Sequence, residues 1–152
     1  MNELIRIFLD RSIGTKKIAT ALRSLSLDVV TIQDRYGDEA SRVVDVRWIE
    51  EATADGCILL SADQRIRHNP LERRAICRYA ARCFTFPRGN LTATEMIARL
   101  EIHMPEVVRL AQTPGPYVYH LTAERVVRMK LDCGDVVASP KQEKPGKGRA
   151  EG

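Results

Sequence analysis

"IRIFLDRSIG", residues 5–14, decides how the rest of the chain is read. An apolar run of strand length ends on Asp10, and the chain then turns polar. Aspartate disfavours strands and resists burial, so its place where a core strand leaves the interior needs a reason. It is either a solvated turn residue or the first carboxylate of a metal site at the mouth of a sheet. Three further runs of the same kind, "DVVTI" (28–32), "CILLS" (57–61) and "CFTF" (83–86), say what sheet this is. They are nearly continuous rather than alternating, as strands covered on both faces are.

Helical patterns separate these runs. Ile18, Ala21, Leu22 and Leu25 form one apolar stripe, and Val46, Ile49 and Ala52 a second, closed by Asp55 and Gly56. Pro70, at a first helical position, opens a third through Leu71, Ala75, Ile76 and Tyr79. The order βαβαβαβ implies right-handed crossovers and a mainly parallel sheet with helices on both faces, an α/β three-layer sandwich. After the fourth strand, Thr92 and Glu95 have the spacing of a capping box and start a helix through Met96, Ile97 and Leu100, which Pro105 is expected to restart or kink. "YVYHL" (117–121) and "RVVRMKL" (125–131) read as a C-terminal edge hairpin.

The 152 residues, 44% apolar and 29% charged, suit one domain over 1–138. Residues 139–152, rich in Pro, Gly and Lys, are expected to form a disordered basic tail. No run approaches the roughly 18 apolar residues that span a bilayer, and Met1–Asp10 lacks the features of a secretory signal, so the cytoplasm is the default compartment. Cys57, Cys77, Cys83 and Cys133 show no metal-site spacing and are expected to be reduced and mostly buried. The charge of +4, from 24 basic and 20 acidic residues, is a mild excess whose meaning depends on its distribution.

Ligands of open parallel sheets bind beyond the carboxyl ends of the strands. Asp10 ends the first strand, Asp63 follows the third in "LLSADQRI", and Asp45 starts the second helix in "VVDVRWIEEA". Each has a plain explanation: Asp45 as a helix cap, Asp63 as a turn residue, Asp10 as a solvated turn, although Thr15 is available to cap the next helix. Three acids at one end of one sheet favour the metal site. Hard carboxylate oxygens suit Mg²⁺ or Mn²⁺, and the matching chemistry is phosphodiester hydrolysis. Asp34, Asp38 and Glu39 read as surface groups, and Trp48 as a packing residue on the inward stripe with Ala52. Arg11, Lys16, Lys17, Arg47, Arg65, Arg67 and His68 lie around the same edge, and Arg74, Arg78 and Arg82 form an i, i+4 series. Such groups could neutralise RNA phosphates, the plain alternative being a solvated helix face. The motifs of dinucleotide-binding, P-loop and serine-hydrolase sites are missing, and no acidic pair accompanies the first strand as in a receiver domain.

With these residues in place, "FLDRSIG", "DVRWIEEATADGCILLSADQRIRHNP" and "RGNLTATEM" resemble the PIN-like domain family, in its branch of VapC-type toxins, over residues 4–131. The resemblance implies a PIN fold and a Mg²⁺- or Mn²⁺-dependent endoribonuclease. Asp10, Asp45 and Asp63 are then its catalytic and metal-holding acids, with Arg11, Lys16, Arg65 and Arg67 on the RNA. It also implies the toxin of a type II toxin–antitoxin pair, with a cognate antitoxin protein and a homodimer. Two positions depart from the family's usual pattern: Asp45 stands where a Glu is usual, and Gln64 follows Asp63 where a fourth acid is often found. Asn90 or a loop acid is the candidate replacement. The reading of a different class is a PIN-like module without catalysis that binds RNA or a protein partner.

Overall fold

The computed structural model describes residues 5–14, 16–87, 91–134 and 136–138. Six strands, β1 (Arg6–Leu9), β2 (Asp28–Thr31), β3 (Ile58–Ser61), β4 (Arg82–Thr85), β5 (Tyr117–Leu121) and β6 (Val126–Met129), form one sheet in the order β2-β1-β3-β4-β5-β6. The first five are mutually parallel; β6 returns antiparallel to β5 at the edge. The expected mainly parallel α/β sandwich is therefore the fold, with the C-terminal hairpin at its edge.

The two-residue period of the strands sorts their side chains between two helical layers. Ile7, Leu9, Ile58, Leu60 and Phe84 pack with α1 (Lys17–Ser24) and α5 (Ala93–Ala111) through Ile18, Leu22, Leu100 and Val107. Phe8, Leu59, Cys83 and Val118 face the other way, onto α3 (Asp45–Ala54) and α4 (Pro70–Tyr79), through Trp48, Ile49, Ala52 and Ile76. Trp48 is 1% exposed and stacks on Phe8 with ring centroids 5.3 Å apart, which makes it the packing residue expected. The parity matters for the site. Asp10 lies two residues beyond Phe8 and so belongs to the face covered by α3 and α4.

Several local expectations change. Ile32 starts a short helix, α2 (Ile32–Tyr36), because Thr31 and Asp34 form a capping box; Asp34 also pairs with Arg23 at 2.8 Å. The predicted box of Thr92 and Glu95 opens α5, but that helix continues unbroken through Pro105. Its apolar stripe, from Met96 to Leu110, stays seated on the sheet across the proline, and this packing outweighs the lost backbone bond. Arg82 is not part of a helical arginine series: α4 ends at Tyr79, and Arg82 donates to the carbonyls of Gly56 and Ala111 at the amino end of β4.

Cysteines also correct the reading. Cys77 and Cys133 form a disulfide, while Cys57 and Cys83 are free and buried. The 56-residue separation of the bonded pair gives no sequence signal, because the meeting depends on the chain after β6 folding back over α4. Arg73 supports that return by donating to the Asp132 carbonyl at 2.6 Å. The expected tail, residues 139–152, lies outside the described residues, as do Thr15 and Asn90.

Candidate functional site

The carboxyl edge gathers polar residues that the rest of the sheet lacks. Continuing the parity of Phe8, Leu59, Cys83 and Val118 by two residues gives Asp10, Ser61, Thr85 and His120. The register aligns them: Asp10 N–H donates to Leu60 O at 3.3 Å, Ser61 pairs with Thr85, and Thr85 with His120. All four are buried, Asp10 to 6% exposure and His120 to 8%. A buried polar side chain ends each of four adjoining strands.

Asp10 has two local tasks at once. Its carboxylate caps the turn Arg11–Ile13, accepting from Ser12 N–H at 2.8 Å and from the Ser12 hydroxyl. Burial pushes its carboxyl above the usual range, opposed by the bonds from Ser12 and Ser61 and reinforced by the nearby Asp45 charge. The Ser12 hydroxyl in turn lies 3.3 Å from Ser61 Oγ and accepts from Ala62 N–H, and Ser61 Oγ accepts from Asp63 N–H at 3.0 Å. The β1 and β3 exits are thus stitched together by hydroxyls, with Asp10 at one end and Asp63 at the other.

Asp45 is the first residue of α3 rather than its cap, a position held by Val44 with no side-chain bond. Its carboxylate accepts from Trp48 Nε1 at 2.8 Å and lies 3.5 Å from the Arg11 guanidinium. Arg11, though 43% exposed, is anchored within the protein, donating also to Ala40 O at 2.8 Å and Val43 O at 2.7 Å. It holds the 40–44 loop and Asp45 rather than offering itself to a ligand. Asp63 caps the turn Gln64–Arg67 and pairs with Arg65 at 3.0 Å. Burial raises its carboxyl, but the hydrogen bonds and charge of Arg65 outweigh this and lower it overall. Lys16 is exposed, the Arg65 side chain is 84% exposed while held by Asp63, and Arg67 donates to Lys130 O at 3.0 Å.

The acid missed in the sequence is Glu72, in the first turn of α4. Burial, a hydrogen bond to Asp45 and the negative charges of Asp45, Asp63 and Asp10 push its carboxyl up to about 8. Four acids therefore act on one another at this edge, and Glu72 holds a proton at neutral pH. Asp45 and Glu72 line a cleft of about 420 Å³ with Arg11, Val44 and Leu71. The signal lay in "NPLERR": Asn69 caps α4 by accepting from Leu71 N–H at 3.2 Å, and Pro70 starts the helix. Glu72 then falls on the first turn, the turn that reaches the sheet edge.

A mutually repelling set of hard oxygen donors is suited to a divalent cation, although among the described residues no three acid, His or Cys side chains already surround one point. Asp63 is turned to Arg65 and Asp45 to Trp48, so holding an ion requires carboxylates to leave these partners.

A parallel sheet with acids collected beyond its carboxyl ends defines an α/β protein of the acid-site class. The family model for the PIN like domain matches residues 5–88, and the chain belongs to that family. It is also 33% identical over 128 residues to "Putative ribonuclease VapC45" of Mycobacterium tuberculosis (strain ATCC 25618 / H37Rv), covering 84% of this chain and 93% of that protein. No solved structure matches it. No helix among the described residues is long and apolar enough to cross a membrane.

Proposed function

We propose that this protein is a Mg²⁺- or Mn²⁺-dependent endoribonuclease that hydrolyses RNA phosphodiester bonds, and the toxin of a type II toxin–antitoxin pair. The observation that carries the reading is the gathering of Asp10, Asp45, Asp63 and Glu72 at one edge, where burial, Asp45 and the charges of Asp63 and Asp10 push the Glu72 carboxyl up to about 8. Its similarity to a relative named a ribonuclease supports RNA as substrate. Such a substrate places its action in the cytoplasm, and a cognate antitoxin and a homodimer remain the partners expected from the resemblance.

Asp10, buried and held by Ser12, would be the fixed donor to such an ion, and Asp45, Asp63 and Glu72 would complete the donor set on leaving the partners they have here. When bound, the divalent ion supplies the Lewis acidity that phosphodiester hydrolysis needs. Glu72 would have to be deprotonated to serve as a donor, so metal affinity should rise with pH. Arg11 and Trp48 hold Asp45 and its loop. Lys16, Arg65 and Arg67 meet the RNA backbone, and Arg65 is released for this when Asp63 turns away from it.

Incubating purified protein with single-stranded RNA and Mg²⁺ or Mn²⁺ tests the reading directly. Cleavage by the wild type, abolished by chelation and by Asp10→Asn with the circular dichroism spectrum intact, is the expected result. Wild type that binds RNA yet cleaves none of a mixed-sequence pool with either metal would leave the non-catalytic binding module as the function.

A further inference from the structure

At the far end of the polar row, three strands from Asp10, the character of the edge inverts. His120, which ends the row, faces Arg67 and His68 from the turn before α4. Among the described residues, neither His120 Nε2 nor Arg67 Nε has a hydrogen-bond partner, although both atoms are buried. Burial lowers the His120 titration, and the charges of Arg67 and His68 lower it further; no carboxylate acts on it. Arg67 meets only the Lys130 carbonyl, and neither Arg67 nor His68 takes part in an ion pair among the described residues. A guanidinium and a second imidazole beside an unpartnered, buried imidazole, with no carboxylate paired to them among the described residues, are an arrangement that an external anion completes.

We propose that Arg67 and His68, backed by His120, form a seat for a backbone phosphate of the RNA, separate from the acids that act on the scissile one. The proposal rests on the ribonuclease reading for the identity of the anion. Strands stand about 4.8 Å apart, so three spacings place His120, behind the seat, about 14 Å along the edge from Asp10. The two sites lie on the same edge, and one strand of RNA can lie across both. Half-buried Arg67 presents its guanidinium and exposed His68 a ring N–H to the phosphate, while His120 lies behind them. Burial first, and then the neighbouring Arg67 and His68, hold the His120 titration down; a seated phosphate offsets the second of these, so the imidazole gains a proton as RNA binds. By linkage, RNA affinity rises as pH falls from 7.5 to 5.5.

The test uses the full chain in the presence of EDTA, so that nothing is cleaved, with a single-stranded decaribonucleotide as probe. The His120 ring signal, assigned by its loss in His120→Gln, is followed by NMR across pH with and without RNA. The expected result is a titration midpoint that moves up on RNA binding. Arg67→Gln should weaken binding roughly 5- to 10-fold and reduce the slope of log affinity against log salt by about 1. His120→Gln should weaken the pH dependence of binding while keeping binding at pH 7.5. RNA binding that leaves the His120 midpoint unmoved, with the same affinity and salt slope in Arg67→Gln, overturns the seat, and so does an absence of RNA binding by folded protein. Failure of the ribonuclease reading is a different result: intact binding with the His120 shift, but no cleavage when metal is restored.

Discussion

The two edges of the sheet treat the same kinds of side chain in opposite ways. At the amino edge Arg6 pairs with Asp28 at 2.8 Å and also reaches the Asp55 carbonyl, Arg35 pairs with Asp55 and Glu51, and Arg82 caps the Gly56 and Ala111 carbonyls. Charges there are interleaved. At the carboxyl edge the balance is incomplete: Arg11 and Arg65 reach Asp45 and Asp63, but Asp10 and Glu72 take part in no ion pair among the described residues, and Arg67 and His68 stand apart with His120. Such imbalance works against the folded state, since like charges resist both burial and one another. A fold that neutralises one edge so thoroughly has the means to do so at the other. Leaving the second edge only partly neutralised makes sense where ligands of opposite sign supply the missing charges.

Neutralising one acid at each edge gives the sharpest separation. Asp10→Asn should lower metal-dependent RNA cleavage by at least ~10²-fold, a loss typical of removing a group from the reacting centre. Its melting temperature should stay level or rise, because an amide replaces a buried carboxylate that other acids repel. Asp28→Asn should leave cleavage within twofold. Equal losses in the two variants would erase the distinction between the edges.

Trp48→Phe probes the support beneath the acids. The ring can still stack on Phe8, but the hydrogen bond from Nε1 to Asp45 is gone, and the smaller ring leaves unfilled space in the core. A loss of about 1–3 kcal/mol is expected in denaturant unfolding. Cleavage should fall several-fold with Mg²⁺ half-saturation moved to higher concentration. A loss of stability with unchanged metal dependence would make Trp48 a packing residue alone.

Glu72 supplies a pH test of the imbalance itself. Its folded carboxyl titrates near 8 against an ordinary value of 4.5, so between those limits the unfolded chain releases a proton that the folded chain keeps. Metal-free protein should therefore lose stability as pH rises through that window. Glu72→Gln should flatten the dependence and raise the melting temperature at pH 8, by ~2–4 °C for each kcal/mol relieved. Excess Mg²⁺ should remove much of the wild-type pH dependence and have little effect on the variant. A wild-type melting temperature flat from pH 5 to 8 without metal would break the coupled-acid description.

How legible all this was in the sequence follows from range. The four parallel strands and their crossover helices were readable because continuous apolar runs and helical stripes are local, and so were the capping box of Thr92 and Glu95 and the inward Trp48. Asp10 was conspicuous because an acid after "RIFL" conflicts with its surroundings. Glu72 was not: in "NPLERR" an acid in the first turn of a helix is also what favourable interaction with the helix dipole would select. Only the packing of α4 against α3 brings it to Asp45. Arg11 beside Asp10 looked available for RNA, and the carbonyls that claim it come from a loop some thirty residues later. The Cys77–Cys133 bond escaped for the same reason. Whatever depended on meetings between distant segments was hidden, and the fourth acid was such a meeting.

The smallest effects belong to the amino edge, and they are informative because they should be small. Arg6 and Asp28 are both substantially exposed, so water screens their attraction and holding two mobile side chains together offsets most of the gain. The Arg6→Gln, Asp28→Asn double variant should melt within about 2 °C of wild type. The difference should shrink further in 1 M NaCl, where the screening length falls to about 3 Å. RNA affinity should not change, because Arg6 lies at the far end of β1 from Asp10. A marked drop in RNA affinity in this variant would mean that the nucleic acid reaches the neutralised edge, and that the division of labour between the two edges is drawn in the wrong place.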